Sequence, residues 1–415
     1  MTGALVLTVG AGHLAGTPDP AGLAVTRALL AEGFPVASRQ LVDEDDTALE
    51  AALRHAVETY ALVVVLAGAG GATGEIVRRT LARVTGTRLV LSERLLHALE
   101  ETFRQRERAM PRRTERQALL PQGATLWTVP SGEPGFLLEP AGTAIIVLPP
   151  AMDAVADLLD RHLLPYARQR FRGKDATLVR TLRSVGVTAA EIEERLAPFL
   201  GSPAGEVAVT SMPVDDEVWV RLRARATSSA QAADALVRVE REVRGVLGAD
   251  CYGSDTDTLE QVVGALLLDR GRTLAVAESC TGGLVGHRIT NVPGSSRYFE
   301  RGVLVYSNRA KEEMLGVPES ILRAHGAVSA PCAEAMARSI CAAASTPCGL
   351  AITGIAGPEG GSAAKPVGTV FIGLALEGRV GSRRFRFAGD RESVKWQSSQ
   401  MALDTLRRAL LEPSG

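Results

Sequence analysis

The stretch that most constrains this chain is Thr273 to Gly283, TLAVAESCTGG. A run of apolar, strand-forming residues stops at Glu278. Ser279, Cys280 and Thr281 follow, then two glycines and the helical pattern of Leu284 to Ile289. A buried strand that feeds a helix through so tight a polar turn sets small hydroxyls beside helix amides that lack a partner within the helix. Such amides can stabilise the charge that develops when a nucleophile attacks a carbonyl. The same pattern fits a serine or threonine that only caps the helix, and the local residues leave both readings open.

Length and composition narrow the classes. A chain of 415 residues exceeds one compact core and implies two or three domains. With 46% apolar residues, 22% charged residues and a net charge of −1, it reads as an ordinary soluble protein without the basic excess of a nucleic-acid binder. The N-terminal MTGALVLTVGAG lacks the basic segment of a secretory signal, and no apolar run reaches the length of a membrane span. The 5 cysteines are odd in number and lack metal-type CxxC spacing, so reduced thiols in a cytoplasm are the simplest reading.

Taken in order, residues 1 to about 170 alternate strand and helix patterns. ALVLTVG reads as a strand, Ala21 to Gly33 as a helix closed by its glycine, and PVASRQLV as a second strand. Asp46 to Tyr60 is an amphipathic helix, and ALVVVLAGAGG is the continuous apolar run of a parallel strand buried on both faces. TAIIVLPP is a further strand, followed by the helical Met152 to Arg168. This is a doubly wound α/β pattern, but Gly68, Gly70, Gly71 and Gly74 make no dinucleotide fingerprint. Residues 172–252 change character. After KDATLVRTLRSVG, from Lys174, a helix ending near Gly201, two alternating strands and a long helix form a small α+β module, which reads as a connector.

The third domain, 256–412, carries three further segments of interest. In RGVLVYSNRAKEEMLGV a strand runs through Tyr306, Ser307 or Asn308 caps a helix, and Lys311 falls in its first turn. The helix dipole there favours the neutral amine, and such a lysine can act as base toward a nearby serine; a solvated lysine paired with an acid is the alternative. GLAITGIAGPEGG is an apolar strand opening into a loop whose amides can face an anion, or merely a turn. In AGDRESVKWQ, Asp390 caps a helix, with Arg391 and Lys395 on one face near its start; they fit a phosphate or a solvated surface.

Together, AESCTGG, VPGSSRYF, GVLVYSN with Lys311, HGAVS, AITGIAGP, KPVGTV and GDR, in this order, resemble the CinA family. Residues 258 to 412 are similar to its C-terminal nicotinamide mononucleotide deamidase domain of the PncC type. The resemblance implies hydrolysis of the nicotinamide carboxamide to nicotinic acid mononucleotide and ammonia, without a metal or redox cofactor. It also implies a homodimer. By the matching motifs Ser279 is the nucleophile, Lys311 its base, and Tyr306 assists. The amides of Thr281, Gly282 and Gly283 are candidate oxyanion donors. Thr353, Gly354, Ala356 and Gly357, with Arg391, are candidates for holding ribose or phosphate. A non-catalytic scaffold serving competence or the DNA-damage response is the alternative.

Residues 1–170 resemble the molybdopterin-binding-like domain of the same family, with RQALLP from Arg116 to Pro121 and Met110-Pro111 retained. Other family motifs are eroded. GTELL reads Gly10-Ala11-Gly12-His13-Leu14, DTN reads Pro20-Ala21-Gly22, and Gly74 and Glu75 replace an aspartate pair. NP-GTAPGF reads Val129-Pro130-Ser131-Gly132-Glu133-Pro134-Gly135-Phe136, shortened by one. The family's ADP-ribose pyrophosphatase activity needs a divalent cation held by carboxylates. Loss of those ligands argues against a metal here and implies a retained fold with lost chemistry; His13, Asp19 and Glu75 are the scattered remaining candidates.

Overall fold

The structure, a computed structural model, describes residues 3–32, 34–67, 71–105, 107–129, 133–140, 142–171, 176–200 and 207–412. Gly33, Gly68, Gly70, Pro130, Ser131, Gly132, Lys174 and Gly201 lie outside them. Two compact α/β units result, one comprising Met1–Val179 with Arg223–Val237, the other Arg180–Leu222 with Arg238–Gly415. Among the described residues no helix is long and apolar enough to cross a membrane.

In the first unit the period-2 alternation of strands decides the architecture. Ala4 and Val6 face one hydrophobic cluster with Val25, Leu29 and Val155, whereas Leu5 and Leu7 face another with Leu49, Leu53, Val77 and Leu81. Both faces are covered, so Leu62–Leu66 and Ala144–Leu148 are apolar throughout and Ala4–Val9 is apolar but for Thr8. The sheet order is Val36–Val42, Ala4–Val9, Leu62–Leu66, Ala144–Leu148, Gly135–Leu138, Thr125–Trp127. The first four strands are parallel and the last two antiparallel, an addition that their short, weakly patterned sequences did not announce. The helical run from Met152 extends to Arg170 through a π-type turn at Leu159–Leu163.

The middle segment forms a four-stranded sheet in the order Val207–Val214, Glu217–Ala226, Ala176–Val185, Cys251–Ser254. Its Val185 and Tyr252 are not packed within that module alone. They belong to the same buried cluster as Leu259, Val263, Leu274, Val276 and Leu403 of the segment that follows.

That following segment is built on a five-stranded sheet, ordered Phe299–Leu304, Leu274–Glu278, Cys348–Gly354, Thr369–Leu376, Arg379–Arg386. The first three strands are parallel and the last two form an antiparallel extension. Leu274, Val276, Leu350 and Ile352 pack under the helices Leu259–Asp269 and Arg391–Leu411. The opposite face carries Ala275, Ala277 and Ala351 under Ala330–Ala344, which the small side chains allow to approach closely. Two glycines set that approach. A methyl group at Gly349 would lie 2.4 Å from the Ala337 carbonyl oxygen, and one at Gly373 would lie 2.3 Å from that of Ala333. Gly349→Ala is therefore expected to lose about 2–3 kcal/mol of stability in urea denaturation, by forcing helix and sheet apart. Wild-type stability would show that the helix moves freely.

Candidate active site: a serine and a buried lysine

All the candidate residues of the C-terminal segment fall where the three parallel strands end, the usual place for a ligand in such a sheet. Ser279 directly follows Leu274–Glu278 and is 6% exposed. The turn is pinned from both sides, because the Ser279 amide donates to Ile352 O at 3.0 Å and the Val305 amide to Glu278 O at 2.8 Å. These bonds prolong the strand ladders by one step and hold the serine at the sheet edge.

The helix after the turn, Leu284–Thr290, is not capped by a hydroxyl. Its cap position is Gly283, with φ of 92°. The amides it would leave open are taken by the buried Glu278 carboxylate, which accepts from Gly283, Val285 and Gly286 at 3.0, 3.1 and 2.8 Å. A carboxylate suits a helix N-terminus electrostatically as well. The capping role that the sequence left open for Ser279 or Thr281 therefore belongs to Glu278. The Ser279 hydroxyl is left to another partner.

That partner is Lys311. Ser307 caps Asn308–Leu315 through the Ala310 amide, placing Lys311 in the first turn as expected. Lys311 is 1% exposed, and its Nζ lies 3.1 Å from Ser279 Oγ. It also donates to Val305 O at 2.8 Å and Tyr306 O at 3.4 Å. No carboxylate pairs with it among the described residues. Burial lowers its pKa from the usual 10.5, with the neighbouring Cys332 and Cys280 opposing slightly. The direction matches the sequence argument, but the leading cause is desolvation and not the helix dipole.

A neutral amine has two N–H bonds and one lone pair. With Val305 O and Tyr306 O as acceptors for the two N–H bonds, the lone pair is left for the Ser279 hydroxyl proton. Cys280, the neighbour of Ser279, offers no rival nucleophile. It is packed in the core, and burial pushes its thiol up to about 12, so it carries almost no thiolate at neutral pH.

The remaining candidates separate. The Gly282 amide donates to Ser279 O at 3.1 Å and the Gly283 amide to Glu278, so two of the three expected oxyanion donors are already engaged. The Thr281 amide remains a candidate, and the Cys280 amide joins it: neither has an oxygen acceptor among the described residues, and both face the Cys280 sulfur. The Thr281 hydroxyl is fully buried and has no hydrogen-bond partner among the described residues. Tyr306 is brought to the site through its backbone, whereas the residue is 59% exposed and its hydroxyl accepts from Arg391 Nη2 at 2.7 Å. Arg391 also donates to Gly357 O at 2.6 Å, tying the loop after Cys348–Gly354 to the start of the last helix. Asp390 caps that helix through the Ser393 amide.

Thr353 is buried and its hydroxyl donates to Ala327 O at 2.9 Å. Gly354 and Ala356 serve packing. A methyl group on Gly354 would lie 2.9 Å from Thr369 O, and Ala356 belongs to the core cluster. Lys395 reaches the Ser279 turn from the same helix as Arg391, its Nζ 3.6 Å from where a methyl group on Gly282 would sit. No ion pair engages Lys395 among the described residues. The functional residue that sequence reasoning missed is Glu278. Its signal was there: an acid at the end of a strand, just before a helix start that lacks a hydroxyl cap.

In the first unit the three candidate metal ligands each have other partners. Asp19 caps Pro20–Ala31 through the Gly22 amide and accepts from Thr8 Oγ1 and Arg39 Nη2, both at 2.8 Å. These bonds hold its carboxyl below the usual range against the opposing effect of burial. Glu75 faces Arg116 at 3.6 Å, and the His13 ring sits 3.1 Å from Thr17 O. A guanidinium on the one well-placed carboxylate is a poor start for a divalent cation, so these residues do not fit one.

Three family models match the chain: the CinA C-terminal domain over residues 256–410, a molybdopterin binding domain over 5–169, and the Damage-inducible protein CinA KH domain over 179–253. The middle module, read from sequence only as a small α+β connector, is thus similar to a KH domain. A protein of Moorella thermoacetica named as competence-damage inducible is 40% identical over 385 residues, covering 92% of each chain. The CinA-like protein of Syntrophotalea carbinolica is 38% identical over 380 residues, 91% of each. A crystal structure of a CinA superfamily protein from Klebsiella pneumoniae is 34% identical, with a TM-score of 0.36, over 37% of this chain and 98% of that one. With the family models spanning nearly its whole length and a relative 40% identical over 92% of each chain, this chain belongs to the CinA family.

Proposed function

We propose that the C-terminal segment hydrolyses the carboxamide of nicotinamide mononucleotide by a serine–lysine mechanism. The observation that carries this reading is the buried Lys311 amine 3.1 Å from Ser279 Oγ with no carboxylate among the described residues to hold its proton. Serine paired with lysine is one of the recurring alternatives to the serine–histidine–aspartate arrangement. Ser279 Oγ attacks the amide carbon while Nζ takes its proton, and the oxyanion forms near the Cys280 and Thr281 amides. The ammonium returns the proton to the amide nitrogen, which leaves as ammonia. Water then attacks the acyl-serine, giving its proton to Nζ, and the carboxylic acid leaves as the serine is restored. Arg391 and Lys395, two cations on one helix face beside the turn, suit the 5′-phosphate. The test is ammonia release from nicotinamide mononucleotide by wild type against Ser279→Ala.

The first unit, in this proposal, keeps its fold and lacks pyrophosphatase chemistry. The observation favouring that is the Asp19–Arg39 pair, with a guanidinium beside the carboxylate a metal would need. No AMP is expected from ADP-ribose with magnesium or manganese, as read by chromatography. Robust metal-dependent release that Asp19→Asn abolishes would refute it. A chain acting only as a scaffold, as the relatives' competence-damage names allow, would show neither activity.

A further inference from the structure

The nucleophile turn is attached to more of the protein than the hydrolysis itself requires. Arg288, on the helix that starts at that turn, is 5% exposed. Its Nη1 donates to Ser399 Oγ at 2.8 Å, and its Nη2 donates to Gln400 Oε1 at 2.5 Å and Glu260 Oε2 at 2.7 Å. The guanidinium also lies 4.5 Å from the Trp396 ring centre. Ser399, Gln400 and Trp396 belong to the helix that carries Arg391 and Lys395. Arg288 therefore fixes the spacing between the nucleophile turn and the two cations.

The chain of contacts continues into the KH-like module. Gln400 Nε2 donates to Glu217 Oε1 at 3.0 Å. The Glu217 carboxylate is buried and further held by Tyr252 OH at 2.7 Å, Trp219 Nε1 at 2.8 Å and Arg183 Nε at 2.9 Å. The Gln400 carboxamide accepts from Arg288 through its oxygen and donates to Glu217 through its nitrogen, so it joins the two. A glutamate at 400 would face Glu217 with like charge.

We infer that Arg288 and Gln400 are positioning residues, through which Glu217 of the KH-like module holds the Ser279 turn in its reactive geometry. This rests on the serine–lysine reading of the site. The module is thereby a working part of the hydrolase and not a tether alone.

The experiment measures the rate at which a fluorophosphonate probe labels Ser279 in the full-length protein, next to turnover of nicotinamide mononucleotide. Displacing a reacting group by about 1 Å costs up to about a hundredfold. Arg288→Met is expected to slow labelling at least tenfold on that scale, and Gln400→Leu by several-fold. Gln400→Leu removes only the bridge and leaves the Arg183–Glu217 and Arg288–Glu260 pairs in place, so it guards against an unfolded Arg288→Met. Adding Glu217→Gln to Gln400→Leu is expected to slow labelling no further, because both act along one path. Wild-type labelling rates in variants that melt cooperatively would overturn the inference, as would additive effects of the last pair. A wild type that labels at Ser279 but leaves nicotinamide mononucleotide intact would refute the substrate and not this inference. A wild type that does not label would remove both.

Discussion

Replacing Lys311 by methionine is expected to abolish amide hydrolysis while making the fold more stable. The loss follows from removing the only base in contact with Ser279 Oγ among the described residues, and general-base catalysis is worth about 10²–10⁴-fold. The gain follows from burial. Lys311 is 1% exposed and its pKa lies below 10.5 in the folded state. Between that lowered value and 10.5 the unfolded chain binds more protons than the folded one, so wild-type stability rises with pH across the window. Below the folded pKa the cost of the buried cation is felt in full. Methionine removes that cost and the slope, for a gain of about 1 kcal/mol at neutral pH. Urea denaturation at neutral and alkaline pH reads both effects. The same titration sets the activity profile: kcat/KM should climb as Lys311 loses its proton and level off below the ordinary lysine range. A stability curve for Lys311→Met parallel to that of wild type would mean that the lysine is not buried as described.

Glu278→Ala is expected to injure both the fold and the chemistry. Three amides, those of Gly283, Val285 and Gly286, would lose their acceptor, and those of Val285 and Gly286 lie inside the helix start. Leaving such groups without partners costs about 2–4 kcal/mol in sum, allowing for partial access of water. Because Glu278 directly precedes Ser279, the turn shifts with it, and kcat/KM should fall by about a hundredfold. Glu278→Gln keeps one acceptor oxygen, which can serve the two amides now bound to Oε2, and should lose less on both counts. Ser279→Ala gives the contrast, with activity lost and stability held to within about 0.5 kcal/mol or improved. Equal stability of Glu278→Ala and wild type would contradict the capping role.

Much of this was legible in the residues. The apolar stretches LVVVL and AIIVL read as strands, the first as one covered on both faces, and Leu274–Glu278 ends in a polar turn that fits a site or a helix cap. The cap at Asp390 and the first-turn place of Lys311 followed from local rules. What stayed hidden depended on contacts distant in sequence. Nothing near Thr353 says that its hydroxyl is spent on Ala327, or near Gly354 that its missing side chain makes room for Thr369 and Val370. Tyr306 looked like a member of the reacting cluster, yet its hydroxyl meets Arg391, 85 residues away. Burial of Lys311 likewise comes from the tertiary fold, which is why the sequence argument found the direction of its pKa shift through a lesser cause. The antiparallel strands of the first unit were missed because Thr125–Trp127 and Gly135–Leu138 are too short to show a period.

The most direct measurement is the production of nicotinic acid mononucleotide and ammonia from nicotinamide mononucleotide by the full-length chain, with wild type, Ser279→Ala and Lys311→Ala run side by side. Stoichiometric formation of both products by wild type, abolished by either substitution in folded protein, is the predicted result. Undiminished turnover in Ser279→Ala, or no turnover in a well-folded wild type, would contradict the serine–lysine hydrolase.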